Sequence, residues 1–190
     1  AYGVAAYSKG EVLVEQLGAV VGTDVRDNAM RTYFKDWSFK HPGPHDFKRV
    51  VERASGLELD WYFQYMMHTT DAIDYAVESV VNDEGNVTVE LARRGDFPMP
   101  QDLELTWEDG TRTRVHIPLV MMRGHRELAE GEILGKDWPW VEPTYTLEVP
   151  AKGRLTAVTL DPMSLQADIH RDNNTLTFDL TREQEARQSN

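Results

Sequence analysis

The chain has no cysteine among its 190 residues, which excludes disulfides and thiolate metal sites while leaving the compartment open. It is also poor in cations. Twenty Lys and Arg face 32 Asp and Glu, for a net charge of −12, and the basic residues and six histidines form no stripe. A phosphate backbone needs a basic face, so nucleic acid is not an expected partner. No apolar run is long enough for a membrane span, and the first residues lack the charged region and cleavage pattern of a signal peptide. A Gly-rich phosphate loop and a G-x-S-x-G nucleophile elbow are both missing, as are repeats and low-complexity tracts. The expectation is a soluble protein, cytoplasmic or periplasmic/exported. The first residue is not Met, and the apolar Ala1-Tyr2-Gly3-Val4-Ala5-Ala6 leads straight into a helical pattern, so the chain reads as a piece of a longer protein.

What is present divides into two halves. Val12, Leu13, Leu17, Val20 and Val21 recur at helical spacing and predict a helix over about 8–21. Gly22 suits its C-terminal cap, and Thr23 or Asp24 suits the N-cap of a second helix. The stripe of that helix reads Val25, Ala29, Met30, Tyr33, Phe34 and Trp37. His41-Pro42-Gly43-Pro44 is a rigid connector, with Pro44 placed for the first turn of a third helix. Phe47, Val50, Val51 and Ala54 then point inward, and Ser55-Gly56 stops the helix. Trp61, Tyr62, Phe63, Tyr65 and Met66 make a short fourth helix, apolar nearly all round and therefore expected to be buried.

From Tyr75 the hydrophobic period changes to two. Residues 76–81 and 87–91 flank Asn82-Asp83-Glu84-Gly85-Asn86, a hairpin by its turn chemistry. A second hairpin joins 102–107 to 113–117 across Glu108-Asp109-Gly110, and later strands are expected at 145–149, 155–160 and 175–180. The fold class is therefore α+β by segments: a helical bundle over residues 1–73, an antiparallel β-sandwich over 74–181, and a polar tail over 182–190.

Several residue sets invite chemistry. His41 and His45 have the spacing of a zinc pair, but Pro42, Gly43 and Pro44 prevent a helix from presenting both rings on one face. Glu52/Glu58 and Asp71/Asp74 read as caps and solvated faces rather than acid–base couples. Asp161-Pro162 and 168–174 read as turns whose Asx side chains bond their own backbone. Calcium would need an ordered alternation of oxygen ligands that the latter stretch lacks. The metal expectation for this chain is none.

One ordered set of stretches remains. Tyr7-Ser8-Lys9-Gly10 precedes the first helix, followed by the run from Tyr33-Phe34-Lys35-Asp36-Trp37 through His41-Pro42-Gly43-Pro44 to Phe47, and by Glu52 through Leu57-Glu58-Leu59-Asp60-Trp61-Tyr62-Phe63. Over residues 1–81 this resembles zinc aminopeptidases of the aminopeptidase N family. Trp138-Pro139-Trp140 and the Asp161 turn carry a looser likeness in the β half. The resemblance implies that the helical half is the C-terminal part of a thermolysin-like catalytic domain. It implies that Tyr7 matches the catalytic tyrosine of a Tyr-x-Lys-Gly setting, donating to the oxyanion, and that Tyr2 matches a tyrosine lining the pocket for the substrate's N-terminal side chain. The family's H-E-x-x-H helix, third Glu ligand and G-x-M-x-N motif have no counterpart here. The expected partners are thus a peptide substrate and an upstream zinc-bearing half of the same polypeptide. Zinc would be the cofactor of that full-length enzyme, with none in this chain, which alone would be inactive. Two other readings stand beside it: a non-catalytic aminopeptidase-like interaction module, since folds are reused without their chemistry, and a plain binding sandwich, which leaves the order of the helical stretches unexplained.

Overall fold

The computed structural model describes residues 8–83 and 85–178. Among these, four helices precede eight strands arranged in two sheets, a mixed α+β architecture. Helix α1 (Lys9–Val21) is half-buried at first, and then fully buried from Gln16 to Val21. At Gly22 (φ 89°, ψ 143°) the chain turns in a conformation that an L side chain rarely adopts. The Gly22 N–H donates to Gly18 O (3.1 Å), and Gly22 O accepts from Arg26 N (3.0 Å). One glycine therefore closes α1 and opens α2 (Thr23–Trp37), and neither Thr23 nor Asp24 supplies the side-chain cap expected of it.

Helix α3 (Pro44–Ser55) starts and stops as its sequence indicates. Pro44 occupies the first turn, Asp46 Oδ2 accepts from Gly43 N (2.8 Å), and Gly56 ends the helix in the left-handed region (φ 72°). Tyr33 packs edge-on against Phe47 at 5.1 Å, and Phe47 against Phe63 at 6.0 Å. The predicted α2 stripe is only partly realised. Ala29 is the one buried residue of α2, and Phe34 is 75% exposed. Phe34 follows Tyr33 by one residue, about 100° around the helix, so α3 cannot cover both. Ala54 is exposed as well. Helix α4 (Asp60–His68) buries Tyr62, Phe63 and Met66 but exposes Gln64, Met67 and His68. It is one-sided rather than enclosed.

Strands β1 (Tyr75–Asp83) and β2 (Asn86–Arg93) form the first hairpin, and β6 (Thr144–Pro150) joins β2 antiparallel to complete a three-stranded sheet. The second sheet has the order β5-β4-β3-β7-β8, with β3 (Gln101–Trp107), β4 (Arg112–Ile117), β5 (Ile133–Leu134), β7 (Leu155–Leu160) and β8 (Thr175–Thr177). Strand β5 lies parallel to β4. Its two residues are too few for a period-two pattern, which is why the sequence reading lacks it. The last strand ends at Thr177, earlier than expected.

The buried side chains of the helices and of both sheets belong to one continuous apolar cluster. Its seam is specific. Tyr65 stacks on Phe97 at 5.1 Å, and Tyr62 donates its hydroxyl to Leu13 O (2.7 Å). Buried Gln16 accepts from Ala167 N (2.8 Å). Tyr75, also buried, donates to Met99 O (3.1 Å) and accepts from Met99 N (2.8 Å). Burial drives the phenols of Tyr62 and Tyr75 well above the ordinary tyrosine range.

The loop between β2 and β3 closes on the segment entering β1. Phe97 N donates to Ala72 O (3.1 Å) and Gly95 N to Asp74 O (3.0 Å). A Cβ on Gly95 would stand 2.2 Å from Ala72 O and 2.7 Å from Asp74 N, both backbone atoms that cannot swing aside. Gly95→Ala is therefore expected to lower stability by roughly 1–3 kcal/mol in urea unfolding. Gly10→Ala, where a Cβ meets nothing within 4 Å, should be neutral or slightly stabilising. Equal midpoints for the two variants would show that the Gly95 contact relaxes freely.

Candidate functional site

Tyr7 and Tyr2 lie outside the described residues. The first described residue is Ser8, and Lys9, at the start of α1, donates from Nζ to Thr69 O (3.3 Å), joining the head of α1 to the end of α4. His41 and His45 are both exposed, His41 in the connector and His45 in the first turn of α3. Among the described residues no group of three or more His, Asp or Glu is placed to hold a metal.

A cleft of about 490 Å³ lies where the α1–α2 junction faces the second sheet, with Gly18, Gly22, Val25, Leu103 and Leu165 on its walls. Its floor is an ion network that the sequence reading missed, because the members come from separate elements. Asp102 and His116 are cross-strand partners on β3 and β4, so period-two geometry puts both on one face. His116 is fully buried, and its Nδ1 lies 2.6 Å from Asp102 Oδ1. An ionised carboxylate only accepts, so the Nδ1–H donates. His116 Nε2 has no hydrogen-bond partner among the described residues.

Arg126, brought in by the loop after β4, donates from Nη2 to Asp102 Oδ1 (2.8 Å) and to Glu132 Oε1 (2.6 Å), and from Nη1 to Glu132 Oε2 (2.8 Å). Glu132 also accepts from Ala129 N (2.9 Å). Two residues along β3, Glu104 accepts from Arg114 Nε (3.0 Å) and pairs with Arg112 (3.1 Å). Burial acts to raise the Asp102 carboxyl, but the His116 hydrogen bond and the Arg126 charge outweigh it and hold it below its ordinary value. Glu132 shows the same balance: burial opposes, the Arg126 hydrogen bonds prevail, and its pKa is lowered. The carboxylates and the guanidinium are engaged with one another, and His116 Nε2 is the buried polar atom of the network left without a partner among the described residues. The guanidinium is bound by two carboxylates, and the only hydroxyl on the described lining is that of Thr23. It clamps the 126–132 loop onto the sheet and sets the shape of the cleft.

A second knot ties the turn before β8 to the start of β1. Asp168 Oδ1 accepts from His170 N (2.8 Å), an Asx turn of the kind the sequence indicates, while Oδ2 accepts from Tyr75 N (3.0 Å) and Asn174 Nδ2 (3.2 Å). Asp74 accepts from His170 Nδ1 (2.7 Å) and Asn173 Nδ2 (3.2 Å), so it is committed to this knot and not to Asp71. Asp161, at φ 44°, accepts from Leu165 N and Gln166 N (2.9 Å each). Burial raises its pKa against those two bonds. Glu52 accepts from Leu59 N (3.2 Å), consistent with a capping role.

Compared with known proteins, the chain matches no family model and no curated protein.

Two titrations follow from this geometry. Asp102 and Glu132 have lowered pKa values in the folded state, so their stabilisation is present above the unfolded carboxylate pKa and is lost as pH falls through the folded values. Arg126→Met should cost about 3–5 kcal/mol at neutral pH, because two largely buried carboxylates lose their cation. In urea melts the gap to the wild type should narrow below about pH 4; a pH-independent gap would assign the loss to packing. His170 has a raised pKa, first from the hydrogen bond to Asp74 and then from its charge. Its contribution is full below the unfolded histidine value and is lost as pH rises through the folded one. Imidazole NMR titration of Asp74→Asn should show the His170 midpoint falling toward the ordinary value, and an unmoved midpoint would exclude that pairing in solution.

Proposed function

We propose that this chain is part of a zinc aminopeptidase of the aminopeptidase N type, removing N-terminal residues from peptides, with Tyr7 as the donor to the oxyanion. The observation that carries the reading is the ordered set of stretches, each at an element boundary. Tyr7-Ser8-Lys9-Gly10 leads into α1, His41-Pro42-Gly43-Pro44 joins α2 to α3, and Glu58-Leu59-Asp60-Trp61 opens α4. On this reading the four helices are the C-terminal part of a thermolysin-like catalytic domain, and the two sheets that follow form its β-sandwich neighbour. Zinc and the glutamate base are contributed by residues outside this sequence. Tyr2 lines the pocket for the substrate's first side chain.

Tyrosine suits the task assigned to Tyr7. With an ordinary pKa near 10 a phenol remains a neutral donor at working pH. A donor aimed at the developing oxyanion rather than the ground-state carbonyl contributes roughly 3–4 kcal/mol in the transition state alone. In the full-length protein, Tyr7→Phe should lower kcat by about 100-fold or more with KM nearly unchanged. Turnover at the wild-type rate would remove Tyr7 from the mechanism.

A further inference from the structure

Among the described residues the two sheets end in four edge strands, β1, β6, β5 and β8. Three of them are guarded in the ways edge strands commonly are. Strand β5 has two residues and β8 three. Strand β1 is interrupted by an irregularity between Val77 and Ser79, and its Tyr75 N–H is taken by Asp168 Oδ2 (3.0 Å). Strand β6 has none of these devices. It runs unbroken from Thr144 to Pro150, pairs with β2 without a shift in register, and carries no lysine or arginine. Its threonine, tyrosine and valine favour the extended conformation.

The register says which backbone groups of β6 are free. Arg93 N donates to Pro143 O (2.7 Å) and Ala151 N to Gly85 O (2.9 Å), so the odd-numbered positions between them turn N–H and C=O toward β2. Thr144, Thr146 and Glu148 turn theirs outward, where they meet no partner among the described residues. The side chains of these three are exposed on one face, while Leu147 and Val149 are buried on the other. Pro150, with no N–H to offer, ends the open stretch.

We infer that β6 is an interface at which two copies of the chain join edge to edge about a two-fold axis at Thr146, making one six-stranded antiparallel sheet. The strand selects this occupant because it complements itself in one register. With Thr146 opposite Thr146 of the second copy, Thr144 faces Glu148 on both sides of the axis, and every outward group of the three residues is paired. A threonine hydroxyl can donate to the carboxylate it faces. The two Glu148 side chains then stand four residues apart along the ladder, about 14 Å, beyond the screening length of about 8 Å at physiological salt. Sliding by two residues in one direction sets Thr144 against Pro150, which cannot donate, and brings the two Glu148 to about 7 Å. Sliding in the other direction sets Glu148 against Glu142, whose N–H already donates to Pro139 O (3.0 Å). Trp140 and Val141, both exposed just ahead of β6, flank the ladder at each end. The net charge of −12 on each copy opposes association, and a strand pair is smaller than a standard interface, so the dimer is reversible and salt-dependent. None of these residues takes part in the aminopeptidase chemistry, and the inference does not rest on it.

Sedimentation equilibrium of the whole chain between about 10 μM and 1 mM tests it. The expected result is a monomer–dimer equilibrium that tightens with added salt and stops at the dimer, because a two-fold contact uses both open edges. Thr146→Lys sets two cations against each other across the axis and should weaken the dimer about tenfold or more. Thr144→Lys sets a cation against each Glu148 and should tighten it severalfold. Both positions are exposed and give no backbone bond to β2, so the fold is kept. Residue-resolved amide exchange on the wild type adds a readout that needs no variant. Exchange at Thr144, Thr146 and Glu148 should slow as concentration rises, and far more than at Tyr145, Leu147 and Val149, which are already bonded to β2. A chain still monomeric at about 1 mM would overturn the inference. So would association past the dimer, a dimer indifferent to Thr146→Lys, slowed exchange confined to another face, or an unrelated strand-forming peptide bound as tightly as the second copy.

Discussion

The molecule depends on the seam where helices meet sheets, and one side chain shows how that seam is held. Gln16 sits on the buried face of α1, an amide among Leu17, Ala19 and Val20. Burying an amide is costly unless its hydrogen bonds are made. Here the oxygen accepts from Ala167 N (2.8 Å), and the nitrogen reaches Met66 Sδ (3.4 Å). A residue near the front of the chain is thus satisfied by a turn close to its end and by α4. Shifting α1 along the seam would strand both groups. The aromatic stack of Tyr65 on Phe97 and the Tyr62 hydroxyl on Leu13 O add apolar area around that polar pin.

The same logic, at higher electrostatic cost, shapes the cleft. A charge taken out of water needs a close partner, and a buried ion pair is weak evidence for stability even when well made. Asp102 meets this by accepting from His116 on the neighbouring strand and from Arg126 in the following loop. Since β3 and β4 fix Asp102 and His116 opposite each other, the mobile choice belongs to Arg126. Its fork, shared with Glu132, binds a loop that has few apolar contacts of its own to hold it. The network therefore contributes geometry: it decides where the 126–132 loop lies and so where the cleft opens.

Helix α2 presents the opposite case. Its inward side packs on α3, while Phe34 and, just past the end of the helix, Phe39 remain exposed.

Much of the architecture was readable from residues alone. The step from a period of 3.6 to a period of two near Tyr75 locates the change from helices to strands. Pro44, Gly56 and Gly110 mark boundaries because their backbone preferences act locally and need no neighbour. The hairpins followed for the same reason. Likewise the composition determined the absence of disulfides and the acidic surface. Tertiary structure decided what local preference cannot. Which stripe residues of α2 are covered depended on where α3 lies, so Tyr33 packed inside and Phe34 did not. The two-residue strand β5 exists only because β4 offers it an edge. The Asp102–His116–Arg126–Glu132 network left no motif, because its spacing is set by a strand pairing and a loop closure. No periodicity along the chain records a distance across it.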